Sequence, residues 1–208
     1  MHSANFFKPL ILSFLAFFFV QPICAQNSWT FPDFSATQVF PSSKADLTMK
    51  VHRSGSSVMV ERGPAISTLY VTDDRKVYNL TKYPDQSHQC VSMKPEQAKM
   101  LPSPLELIQG KILKRTSGGT EVFEGHTTKI ESVVVARPDG KTIESKVWEA
   151  EDLQGVPLKI ESHLEDVTLR AVYRDVVLGT PDKARFTVPD RCTPFEKMWQ
   201  VAEVRNPK

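Results

Sequence analysis

The chain has 208 residues, with 26 Lys and Arg against 24 Asp and Glu and 40% hydrophobic side chains. That length supports one domain with a real core and is short for two. The near-neutral balance, with both signs interspersed and no block of like charge, excludes a nucleic-acid-binding surface and a polybasic membrane-surface protein.

The chain opens with one cation, Lys8, then an apolar run from Leu10 to Val20 broken only by Ser13, then a short neutral stretch ending at Ala25. This is the order of a secretory signal peptide, predicting cleavage near Ala25 and a periplasmic or secreted product. The run is too short for a spanning helix, which needs about 20 apolar residues, and no later segment approaches that length, so a product that is not membrane-spanning is expected. Ile23 just before Cys24 disfavours lipid attachment there. Removing residues 1–25 leaves 183 residues, six of the 12 Phe and 25 cations against 24 anions.

Residues 26–44, rich in aromatic, Pro and Ser side chains, read as a lead-in whose Trp29, Phe31, Phe34 or Phe40 docks on a domain spanning 45–208. From Ala45, apolar Leu47, Met49 and Val51 alternate with polar Asp46, Lys50 and His52, the period of a strand with one wet face. Turns at Ser54-Gly55-Ser56, Gly63-Pro64 and Asp73-Asp74 cut the following residues into short β-rich runs, which must form an antiparallel meander because parallel neighbours need long crossovers. HQCVSM is a fifth strand. Helical signals are confined to two short segments: Pro95 to Pro102, and Ser103-Pro104-Leu105-Glu106 with a stop at Gly110.

Beyond Lys111 the strands KILKRT and EVFEGH flank a Gly118-Gly119 hairpin turn, and KIESVVVA and TIESKVWEA flank Arg137-Pro138-Asp139-Gly140. PLKIES, VTLRAVYRDVVLG and a terminal ARFTVP complete ten to eleven strands, predicting a barrel or strongly curved sheet.

Chemistry has little to stand on. His52, His88, His126 and His163 form no ligand pair, and there is no elbow for a serine nucleophile. Glu149, Glu151 and Asp152 read as a solvated turn rather than an acid–base or calcium cluster. Asn79-Leu80-Thr81 fits a sequon inside a strand. No enzyme, metal or cofactor is therefore expected, and a monomer is. Cys90 and Cys192 are expected to pair as a disulfide, worth about 4 to 5 kcal/mol in the chain-entropy model; two separate buried thiols are the alternative.

Three stretches go beyond generic β patterning: EVFEGHTTKIESVVV, PDGKTIESKVWEAEDLQGVPLKIES and VYRDVVLGTPDKARFTVPDRC. A strand near Gly125-His126 leads to a hairpin bearing Trp148 beside Gly155-Val156-Pro157-Leu158-Lys159, and a late strand runs through Pro181-Asp182-Lys183-Ala184-Arg185-Phe186 to Val188-Pro189. Together they resemble the LolA-like family of periplasmic lipoprotein carriers and exported relatives, over most of residues 45–190. The resemblance implies a mainly β, incomplete antiparallel barrel with short helices plugging one mouth, around an apolar cavity for a hydrophobic ligand such as an acyl chain or a lipidated protein. On such a fold the strand faces direct Leu47, Met49, Val51, Leu69, Val133, Val135, Trp148, Leu169 and Tyr173 to the cavity; plain core packing is the alternative for each. A non-catalytic envelope interaction or regulatory domain with a filled interior is the competing function.

Overall fold

A computed structural model describes residues 29–198, apart from 43, 72–75, 95–96, 98–103, 109, 137–139 and 165–166. The expected signal peptide, the helix expected after Pro95 and the core of the expected Arg137–Gly140 turn therefore lie outside the described residues. Among those described, the strands are β1 (Phe34–Phe40), β2 (Leu47–Ser54), β3 (Ser57–Arg62), β4 (Ile66–Val71), β5 (Lys76–Lys82) and β6 (His88–Met93). A short helix, α1 (Pro104–Ile108), precedes β7 (Lys111–Phe123), β8 (His126–Ala136), β9 (Thr142–Ala150), β10 (Val156–Leu164), β11 (Val167–Leu178) and β12 (Thr193–Pro194).

All twelve strands form one open, curved sheet in the order β12-β6-β5-β4-β3-β2-β1-β11-β10-β9-β8-β7. Two meanders, β2 to β6 and β7 to β11, are joined side by side through β1, which is antiparallel to both β2 and β11. The sheet is the expected half-barrel; it does not close, because β7 and β12 are its two free ends.

Four local features differ from the sequence reading, each for a packing reason. Phe34–Phe40 is no lead-in but the strand that joins the halves. Its FSATQVF is buried at five of seven positions, leaving no wet face to alternate. Gly118-Gly119 is not a hairpin turn: β7 runs unbroken through it with a bulge there and another after Ile112. Gly119 adopts φ +94°, a backbone region open chiefly to glycine, and so absorbs the extra residue without a turn. The chain reverses instead at Glu124-Gly125, so His126 begins β8. Finally, the ARFTVP segment forms a 3₁₀ turn at Lys183–Phe186 and then an extended strap without ladder pairing, because its apolar side chains dock onto the sheet from outside.

The two faces are covered differently. The convex face of β3 to β6 carries Met59, Leu69, Tyr78 and Cys90, and the strap lays Phe186 and Val188 on them. Cys192 closes the strap onto β6 through the expected disulfide with Cys90 (S–S 1.98 Å). The concave face holds the larger core, to which both meanders contribute.

Candidate functional site

The concave face is built from inward side chains at every second position: Met49 and Val51 from β2, Val58 and Val60 from β3, Val133 and Val135 from β8, Ile160 from β10, Ala171 and Tyr173 from β11. What covers this trough is not a second sheet. Trp29, Phe31 and Phe34 enter it from the chain's start, and Leu105 and Ile108 of α1 lie fully buried against it. Residues 29–33 belong to no strand.

Polar groups fix this arm in place. The Arg53 guanidinium donates to the carbonyls of Phe31 (2.5 Å) and Pro32 (3.1 Å) and lies 5.5 Å from the Phe31 ring centroid. Asp33 accepts from the Gly55 N–H (2.8 Å), Thr180 (3.0 Å) and Ser54 (3.3 Å), tying arm, β2–β3 turn and strap together. Burial alone would raise the Asp33 pKa; the Gly55, Thr180 and Ser54 hydrogen bonds and the Arg53 charge override it and hold the carboxyl below its ordinary value.

At the β7–β9 end the trough turns ionic. Arg115 donates to Glu131 (2.6 Å) and lies 3.3 Å from Glu149, with its guanidinium 4.5 Å over the Trp29 ring. Lys129 adds a second cation 2.5 Å from Glu131. Burial would raise Glu131, yet hydrogen bonds from Lys129 and Arg115 prevail and lower it. Glu149 goes the other way: burial raises it, the Glu131 charge adds to that, and Arg115, Lys129 and the Trp29 indole only partly compensate. Of the three carboxylates read as a solvated turn, Glu151 and Asp152 are exposed as expected, whereas Glu149 is buried.

Four buried side-chain polar atoms have no protein hydrogen-bond partner among the described residues: Gln38 Oε1, Arg53 Nε, Asn79 Oδ1 and Tyr173 OH. Each belongs to a residue in the same inward register as the concave core, as Phe34, Ala36, Val51, Val77 and Ala171 show for their strands.

The structure brings Met49, Val51, Val133, Val135 and Tyr173 together in the concave cluster. Leu47 and Leu169 keep the inward register of β2 and β11, but Leu47 is 56% exposed at the sheet's end and Leu169 is half-buried outside the cluster. Leu69 points to the opposite face, under the strap. Trp148 is buried on the outward register of β9, where its indole donates to Glu121 and the ammonium groups of Lys159 and Lys146 lie 4.0 and 4.7 Å from its ring centroid. Arg53 was legible, since it continues the Leu47, Met49, Val51 phase and puts a cation on an apolar face. Gln38 and the arm carried no such signal, because the lead-in shows no alternation.

Two surface clefts lie beside the strap. One of about 350 Å³ is lined by Met59, Leu80, Ile66, Lys82, His88 and Arg185 among others, and one of about 400 Å³ by Thr48, Met49, Lys50, Glu61, Gly63 and Pro64. Near them His52 Nδ1 is 2.8 Å from Ser35 Oγ and its Nε2 is 3.6 Å from Glu61, which also binds Arg185. Burial, then the Arg185 and Lys50 charges, push His52 down despite Glu61. Among the described residues no group of three or more His, Cys, Asp or Glu could hold a metal ion, and no helix is long and apolar enough to cross a membrane.

No family model matches the chain, and no curated protein matches it in sequence. Solved structures similar to it include PNGF-II, at 12% identity over 84% of this chain and 33% of that one with a TM-score of 0.43. Another is the MucA/MucB complex of Pseudomonas aeruginosa, at 16% identity over 77% of this chain and 57% of that one, TM-score 0.42. A third is a LolA superfamily protein from Nitrosomonas europaea, at 13% identity over 78% of this chain and 93% of that one, TM-score 0.39. The chain thus spans less than two thirds of the length of PNGF-II and of the MucA/MucB chain it matches.

Proposed function

We propose that this is an exported, non-catalytic binding protein that holds a hydrophobic ligand, such as an acyl chain or a lipidated protein, on the concave face of its half-barrel. One observation carries the reading: among the described residues the apolar trough is covered by segments outside the sheet, chiefly the arm at residues 29–33 and the five-residue α1, with Leu153, Phe195 and Met198 also packed against its core. Neither is held by ladder hydrogen bonds, so both can yield without breaking the sheet. The inward-facing Leu47, Ile66 and Val167, 56%, 40% and 58% exposed, extend the apolar face to one end of the sheet, where a chain enters. Burial at about 25 cal/mol per Å² would hold it with few directional contacts.

Native mass spectrometry of the mature protein, purified gently from its own envelope, tests this. A lipid or lipopeptide adduct that leaves on denaturation is the expected result; a bare mass that persists after incubation with envelope lipids would sink the reading. The second reading, an interaction or regulatory domain with a filled interior, is favoured by the close packing of Trp29, Phe31, Leu105 and Ile108 into the trough. A bare monomer would move the search to partner proteins.

A further inference from the structure

We propose that Gln38 and Tyr173 read the polar head of the bound amphiphile, and that the trough takes an acyl chain whose uncharged head both donates and accepts a hydrogen bond, an amide or a glyceride, in preference to a carboxylate. The proposal rests on the binding reading above and names its ligand chemistry.

Gln38 and Tyr173 are register partners across the β1–β11 ladder. Directly opposed residues share a face, with Cβ atoms about 4.5–5.5 Å apart. Gln38, on the strand that joins the meanders, and Tyr173, beside it on β11, are buried to 1% and 0% exposure. Gln38 Oε1 has no donor among the described residues. The Tyr173 phenol lies beside the Leu105 backbone N–H of α1, and among the described residues its own proton has no acceptor. An unmet acceptor and an unmet donor thus stand side by side beneath the helix that covers the trough.

The chemistry of the pair selects the head. Burial pushes the Tyr173 phenol up, so it keeps its proton and can only donate that proton to a ligand. Gln38 Oε1 can only accept. An amide answers both with its C=O and N–H, and a glyceride with its ester carbonyl and free hydroxyl. A carboxylate takes the phenol's hydrogen bond but sets its second oxygen against Oε1. It also brings a charge into a face where, among the described residues, Arg115 already binds Glu131 and Glu149, and Arg53 binds the arm and keeps only its Nε unmet. A few placed polar groups in an apolar lining are how ligand pockets obtain selectivity.

Calorimetric titration of the mature protein at pH 7 with lauramide, monolauroylglycerol and laurate, which share one tail, tests the proposal. The neutral heads are expected to bind about tenfold tighter or more than laurate, the worth of one buried hydrogen bond. Gln38→Met, near-isosteric, is expected to remove that preference, and Tyr173→Phe to weaken all three probes about tenfold by taking away the hydrogen bond each accepts; neither variant is expected to lower the melting temperature of the ligand-free protein. Equal binding of the three probes, or a preference that survives Gln38→Met, overturns the proposal and leaves the binding reading standing. A lowered melting temperature in both variants would assign the two atoms to buried water and overturn it likewise. If none of the probes binds, both readings fall.

Discussion

At the scale of single residues, the covering of the trough depends on buried charges with opposite pH behaviour. The Asp33 pKa is lowered in the folded state, so its stabilisation is complete above the ordinary Asp value of about 3.9 and is lost as pH falls through the folded value. The Glu149 pKa is raised, so the folded state favours its protonated form. Its contribution is complete below the ordinary Glu value of about 4.3 and declines as pH rises through the folded value. Melting temperatures measured from pH 3 to 8 should therefore show Asp33→Asn losing part of the acid-side drop, and Glu149→Gln flattening the slope just above the ordinary Glu value. A parallel shift of both variants at every pH would contradict this assignment. Arg53→Met is expected to cost about 2–4 kcal/mol in denaturant melts, because it leaves the carbonyls of Phe31 and Pro32 without their buried donor and the Asp33 carboxylate without its counter-charge. These residues were hard to find in the sequence for a plain reason. A polar side chain inside an apolar period reads as noise until its neighbours' partners are known, and only Arg53 sat in a clean enough alternation to stand out.

At the scale of elements, the strap shows what a disulfide can and cannot be asked to do. Phe186 and Val188 cover Met59, Leu69 and Tyr78, but the strap has no ladder to hold it between its Asp33 anchor and Cys192. Cys192→Ser is expected to lose about 2–5 kcal/mol, with amide exchange rising along β5 and β6, where the strap lies. Unchanged exchange there would mean that the apolar contacts hold the strap unaided. The corner between α1 and β7 is equally constrained: a Cβ on Gly110 would stand 2.6 Å from Val135 Cγ1 and 2.8 Å from the Ala136 carbonyl. Gly110→Ala should therefore push α1 off the trough and lower the melting temperature. The legible elements were the hairpins set off by short turn signals, β2 to β5 and β8 to β10. β1 was missed because both its faces are buried, and β7 was cut in two because a bulge and a turn use the same Gly-Gly. ARFTVP has strand composition but packs face-down on another sheet, a tertiary choice that composition does not carry.

At the scale of the whole molecule, the sheet's unity depends on one seam. β1 joins β2 beside it in sequence to β11 at the far end, with Thr37 donating to Asp175 across 138 residues. Contacts of such separation slow folding toward the millisecond-to-second range of non-local β proteins. Val39→Ala, at a buried seam position facing Val172, is expected to cost about 1–3 kcal/mol. If the seam closes after the rate-limiting step, that loss appears as faster unfolding with an unchanged folding rate in a chevron plot; an equal loss in the folding arm would place the seam in the nucleus.

The same seam has a consequence for a chain delivered N-terminus first, in synthesis or through a translocon. β1 emerges before any other described strand, pairs with β2 almost at once, and then waits with its other edge bare until β11 arrives behind eight further strands. Throughout that interval the nascent protein presents an unpaired central strand buried on both faces in the finished fold, the kind of edge on which stray strands add. The arm that later fills the trough leads directly into this strand, so a chaperone holding the nascent N-terminus would shield seam and trough together, and release of the chain's last third would be the event that frees it.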